Sequence, residues 1–203
     1  MSSLYRLFAE KLGGSNSTSF KGSYGDVFYD PITGALRISD GSTPGGILLG
    51  ALGSTGYVGS FFDTTTQTNP DANVERLFTY DTIDIADGVT VENGSRLKVL
   101  HTGNYNIQFS AQLDKTDAGV DDVYIWLKKN GTNVDQSAGL ITLSGNDDRV
   151  IAAWNYVVTA VANDYFELAW CSADTNLRIL ALPASSNPTK PAIPSMIVTV
   201  CQV

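Results

Sequence analysis

The chain has 203 residues, room for one domain of ~130–150 residues and a smaller appendage. Its 13 Lys and Arg against 21 Asp and Glu give a net charge of -8, which repels a nucleic-acid backbone and excludes nucleic acid as the main partner. Hydrophobic residues make up 43% and charged ones 17%, a balance that excludes extended disorder and suits a chain that hides part of its surface in an assembly.

No apolar run approaches the ~18–20 residues needed to span a bilayer, so no membrane partner is expected. The opening "MSSLYRLFAEKLGG" has Glu10 and Lys11 where the apolar stretch of a signal peptide would continue. The expectation is a protein kept in the cytosol until it joins an assembly.

Leu4, Leu7, Phe8 and Leu12 fall on one face of a short helix over residues 1 to 12, ended by Gly13-Gly14. Such a helix is too short to stand alone in water, so these four side chains are the expected attachment contacts. "GGSNSTSFKGS" follows as a flexible linker. Val27-Phe28-Tyr29 and Ala35-Leu36-Arg37-Ile38 then read as two strands of a hairpin about the turn Asp30-Pro31-Ile32-Thr33-Gly34, with a second turn at Asp40-Gly41 and Pro44-Gly45-Gly46. A lone hairpin is marginal and needs copies of itself or another body to cover its apolar face.

From Gly59 the texture changes to short strands punctuated by Gly, Asn, Asp and Pro, the pattern of an all-β sandwich or barrel. The chain therefore divides into an attachment region, 1–58, and a head domain, 59–203. In "GNYNIQFSAQL", Tyr105, Ile107, Phe109, Ala111 and Leu113 form a core face, and Asn106, Gln108, Ser110 and Gln112 a wet one. Other strands are apolar on both faces: "DDVYIWLKKNGT", with Tyr124 and Trp126 opposite Val123, Ile125 and Leu127; "DRVIAAWNYVVTAV", with Trp154 and Tyr156; and "SMIVTVCQV", with Val198 and Val200. Only one face of each sheet can lie in a sandwich core, so the surplus apolar face predicts self-association. Tyr124, Trp126, Trp154, Tyr156, Val198 and Val200 are its expected contacts.

"GNYNIQFSAQL", "VYIWLKKNGTNV", "NDYFELAW" and "PSMIVTVCQV", in that order, resemble the jelly roll of the tumour necrosis factor and complement globular-head superfamily, in the version carried by bacteriophage virion proteins. The resemblance covers roughly residues 59 to 203. It implies an all-β jelly-roll β-sandwich and a homotrimer, with the last strand near the threefold axis. "FYDPITGALRISDGSTPGG" is similar to hairpin modules near the N-termini of phage fibres, where three chains intertwine. Together these imply a virion structural protein assembled in the host cytoplasm. Two roles stand: a capsid decoration protein bound to the major capsid protein, or a tail component, a short fibre that reads a host-surface glycan.

Catalytic candidates are scarce. His101 is the single histidine, so no Ser-His-Asp arrangement or multi-histidine metal site forms within one chain. Asp114, Asp117, Asp121 and Asp122 in "LDKTDAGVDD", and Asp147 and Asp148 in "SGNDD", read as solvated loop charges, with calcium ligation as the competing reading. No cofactor and no enzymatic activity are expected. Cys171 and Cys201 lie in apolar strand-like runs and read as buried free thiols; a disulfide between them has no support in the pattern.

Overall fold

The structure, a computed structural model, describes residues 10–11, 20–30, 35–49 and 56–203. It divides into two compact units, Met1–Thr55 and Gly56–Val203.

In the first unit, Val27–Asp30 pairs antiparallel with Ala35–Ile38, which pairs in turn with Ile47–Leu48. The hairpin is thus where the sequence puts it, with its turn at 31–34 outside the described residues. Leu4, Leu7, Phe8 and Leu12 also lie outside them. Glu10–Lys11, expected as the end of a helix, is instead a strand parallel to Val27–Asp30, with Glu10 opposite Phe28. A strand edge supplies hydrogen bonds that a helix this short leaves mostly unmade. Asp40 makes the second turn by accepting from the Ser42 and Thr43 amides and the Thr43 hydroxyl, contacts that hold its carboxyl well below the ordinary range. Phe28 is buried against Phe20, whereas Tyr29, Leu36, Ile47 and Leu48 form an exposed apolar set.

The second unit is built on eight strands: β1 (Val58–Asp63), β2 (Arg96–Val99), β3 (Gly103–Lys115), β4 (Val120–Lys129), β5 (Gly139–Ser144), β6 (Arg149–Ala160), β7 (Tyr165–Ser172) and β8 (Met196–Gln202). They pair antiparallel from the outside in: β1 with β8, β2 with β7, β3 with β6 and β4 with β5. Two cross-pairings, β3 with β8 and β4 with β7, join these ribbons into two facing sheets. This is a jelly-roll β-sandwich. Thr82–Asp87 extends the first sheet beside β1, and Val89–Glu92 extends the second beside β2.

The core lies between the sheets. Tyr105, Ile107, Phe109, Ala111 and Leu113 of β3 meet Val123, Ile125 and Leu127 of β4 and Phe166, Leu168 and Trp170 of β7, as the alternation of β3 predicts. Asn130 and Gly131 both take positive φ, 51° and 79°, the pair of left-handed residues that a two-residue hairpin turn demands. Where the chain comes into this unit, the Gln202 amide donates to the Tyr57 carbonyl at 2.8 Å, so the start of β1 and the end of β8 share one end of the sandwich.

Gly88 sits at that same end with φ 69°, and a Cβ there would lie 2.2 Å from the Tyr57 ring. Gly88→Ala therefore combines left-handed strain with a clash and should lose ~2 kcal/mol or more of stability, read as a fall in urea midpoint at unchanged m-value.

Candidate functional site

The six residues expected at a subunit interface do not come together. Val198 and Val200 are wholly buried in the chain's own core, because on β8 the inward positions are Met196, Val198 and Val200. Trp154 and Tyr156 are half-buried along the margin of the sandwich, where Trp154 packs edge-on against Phe109 at 4.6 Å and the Tyr156 hydroxyl donates to the Ser137 carbonyl at 2.9 Å. Tyr124 and Trp126 lie on the outside of the other sheet, with Trp126 Nε1 donating to Asn133 Oδ1 at 2.9 Å. Local sequence marks a strand as apolar on two sides without saying which side turns inward.

In place of the expected apolar face stands an uncharged one, half apolar and half polar, on other residues. The outward positions of β1, β8, β3 and β6 line up in rows: Phe62, Ile197, Ser110, Ala153; then Ser60, Thr199, Gln108, Asn155; then Val58, Cys201, Asn106, Val157. Ile151 and Val157 are 61% and 67% exposed, and Ile197 is 38% exposed. None of these rows holds a charge. The amides are tied to one another, as where Asn155 Nδ2 donates to Asn106 Oδ1 at 2.8 Å and Thr159 Oγ1 to Asn104 Oδ1 at 2.9 Å. Asn106, Gln108 and Ser110, read from sequence as a wet face, are part of a neutral one. The signal that marks it is the lack of any Lys, Arg, Asp or Glu at the outward positions of these three rows; the first charges in phase with them are Asp114 and Arg149, at the far end of β3 and β6.

The outside of the second sheet is the opposite. Lys98 pairs with Glu92 at 2.9 Å, Arg96 with Glu167 at 3.5 Å, and Lys128 with Glu75. Arg96 also lies over the Tyr165 ring, 4.5 Å from its centroid.

The end of the sandwich away from Gly56 carries the loop carboxylates, and several are structural. Asp114 is buried, with Arg149 Nε donating to one oxygen at 2.5 Å and Arg178 Nε to the other at 2.6 Å. Lys115 is buried too, with its ammonium bonded to Asp121 and 3.8 Å from Asp117. The hydrogen bond that Lys115 donates to Asp121 raises the Lys115 pKa against the opposing effect of desolvation. Asp117, Asp121 and Asp174 bring oxygens within 4.8 Å of one another, as a cation would require, and the Lys115 ammonium already stands beside them. The expectation that Asp114, Asp117 and Asp121 are merely solvated charges is thus corrected: Asp114 is itself buried and neutralised by two arginines, and Asp117 and Asp121 neutralise the buried Lys115. Asp122 accepts from Thr142, and Asp148 from the Ser144 amide. His101 is exposed and stacks on Tyr57 with ring centroids 3.7 Å apart.

At this end the segment from Ala181 to Pro194 forms an arm whose β-pairing is internal, Leu182 with Ile193 and Ser185 with Lys190. A groove of about 650 Å³ lies between one flank of the arm and Phe62 and Ile197 of the neutral face. A second, of about 420 Å³, lies on its other flank beside Gln112, Arg149 and Ile151. Cys171 is in β7 and Cys201 in β8, on different sheets; both are free and partly exposed rather than buried. Burial raises the Cys171 thiol pKa, with a smaller contribution from Glu75.

No family model matches the sequence, and no curated protein matches it. Among solved structures, the crystal structure of murine APRIL aligns with a TM-score of 0.47 and 10% identity, over 73% of this chain and 99% of that one. The assignment of the fold rests on the strand pairing itself.

Two outcomes follow for the charged groups. Since Lys115 supplies the cation beside Asp121, a chelator of divalent ions should leave the melting temperature unchanged, while Asp121→Asn should lower it by about 5 °C. The second concerns Asp164, which burial would push up but which hydrogen bonds from Lys129, Asn130 and the Val161 amide hold at about 2. A carboxyl depressed from the unfolded value of ~3.9 stabilises the fold above that value and loses its contribution as pH falls toward 2. Wild-type protein should therefore lose more melting temperature between pH ~4 and ~2 than Asp164→Asn, followed by circular dichroism.

Proposed function

We propose that the chain is a non-enzymatic structural protein of a bacteriophage particle, a homotrimer whose jelly-roll head decorates the capsid and whose N-terminal region, 1–58, grips the major capsid protein. The observation that carries the reading is the three uncharged rows across β1, β8, β3 and β6 on a chain of net charge -8. Copies of such a chain repel one another except where charge is absent, and burying Ile151, Val157 and Ile197 against a second copy removes apolar surface from water. Tyr29, Leu36 and Ile47, exposed and in phase across the hairpin, give the first unit an apolar side of its own, in keeping with the resemblance of "FYDPITGALRISDGSTPGG" to intertwining fibre hairpins.

A second reading, a short tail fibre that binds a host glycan, draws support from the second groove beside the arm, where Gln112, Arg149 and Lys190 offer polar groups. Copy number per particle separates the two: hundreds for a shell decoration, a handful for a tail component. Deleting residues 2 to 20 should leave a folded trimer that no longer joins particles; normal incorporation would count against the attachment role.

At micromolar concentration the protein should sediment as a trimer, and a monomer would sink the proposal. Ile197→Asp, on the outward side of β8, should give folded monomers. Val198→Asp, one residue along, should unfold the chain instead, because a carboxylate buried among Phe109 and Phe61 costs several kcal/mol.

A further inference from the structure

We propose that the groove beside the arm is filled by the β6 edge of a second copy of this chain, with Ile151 as the side chain seated in it. This inference rests on the trimer reading and names the surfaces that meet.

The first argument is area. Four strands at ~4.8 Å spacing and seven residues at ~3.4 Å each make a face of about 450 Å². A stable interface takes about 800 Å² from each partner, and in a ring every copy contributes to two interfaces. The neutral face alone falls short, so assembly must draw on surface continuous with it. Phe62 and Ile197 belong to both the face and the groove, which makes the groove that continuation.

The second argument is chemistry. The groove is walled by Phe62, Leu182, Pro183, Ile193 and Ile197 and holds no charged side chain. Its two hydroxyls are already used, since Thr66 Oγ1 accepts from the Ala181 amide at 3.1 Å and Thr64 Oγ1 donates to Asp81. A ligand rich in hydroxyl groups would find no partners there, whereas an aliphatic side chain would lose only water.

The third argument is height. Rotation about an axis running along the strands leaves distance along that axis unchanged, so whatever enters the groove comes from the same level on the other side of the next copy. Ile197 lies opposite Ser110, and Ser110 opposite Ala153. Two residues further along β6, Ile151 lies opposite Gln112, whose amide donates to the Ser195 carbonyl at 2.9 Å, next to Pro194 in the groove wall. Ile151 is thus at the level of the groove, on the far edge of the sheet, and 61% exposed.

The test is a pair of cysteines, Ile151→Cys with Ala192→Cys, in a chain carrying Cys171→Ser and Cys201→Ser, treated with a mild oxidant. Both sites are exposed. The expected result is a ladder of covalent dimer and trimer on a non-reducing denaturing gel, absent from either single-cysteine variant and from the pair Leu140→Cys with Ala192→Cys, since Leu140 lies on the other sheet. A trimer in sedimentation without the cross-link, or with a cross-link only inside one chain, would overturn this inference and leave the trimer standing. A monomeric wild type would overturn both. Should the cysteine pair fail to fold, Ile151→Asp serves in its place. It should raise the trimer dissociation constant at least about ten-fold, with Leu140→Asp unchanged, and no effect of Ile151→Asp would reject the groove as its seat.

Discussion

Strand β3 is hydrogen-bonded along both edges: to β6 from Gly103–Ala160 through Asp114–Arg149, to β8 from Tyr105–Gln202 through Ala111–Met196, and beyond that to Leu177–Ile179. A strand held in this way cannot rotate about its axis. Its side chains must alternate strictly between the core and the outside, and they impose the same alternation on each neighbour in register. Tyr105, Ile107, Phe109, Ala111 and Leu113 turn inward, which brings Val198 and Val200 of β8 inward beside them and turns Ile197 and Thr199 out. The composition of the outer face is left free by the core, and what stands there answers to another requirement.

That requirement shows in how charge is distributed. The second sheet bears ion pairs on its outside, and the far end of the sandwich binds carboxylates to Lys115, Arg149 and Arg178, while the three rows across β1, β8, β3 and β6 bear no charge. Surface ion pairs contribute little to stability and much to keeping copies apart in solution. Concentrating them on one side of an acidic sandwich leaves the other side as the approach with the least repulsion. The neutral rows are not greasy throughout: Asn106 and Asn155, and Asn104 and Thr159, bond to one another across the strands, so these four side chains each keep a hydrogen bond when the face is covered.

Much of this was legible in the sequence because it depends on period and turn chemistry. The alternation of β3, the Asn130-Gly131 turn and the pair of strands around 31–34 are each set within a dozen residues. What was not legible depends on partners far along the chain. "SMIVTVCQV" is apolar at nearly every position, and only pairing with β3 decides that Val198 and Val200 face in. Asp114 looks like one more loop acid until Arg149 and Arg178 arrive from two other strands, and Lys115 is a charge in a polar loop until the fold buries it. The expected helix failed at Glu10–Lys11 for a similar reason, since its apolar spacing says nothing about a strand edge waiting at Val27–Asp30.

The bond between the Gln202 amide and the Tyr57 carbonyl places the two ends of the jelly roll side by side. That gives the domain a mechanical direction. Tension applied between Gly56 and Val203 would peel β1 from β8 one hydrogen bond at a time, because the ladder runs perpendicular to the strands and its first rung carries the whole force. Tension applied between Gly56 and the arm at the opposite end runs along the strands instead and loads every rung of the sheets together in shear. A head tethered at Gly56 and held by its far end therefore resists pulling along its long axis far better than it resists being unzipped at its base.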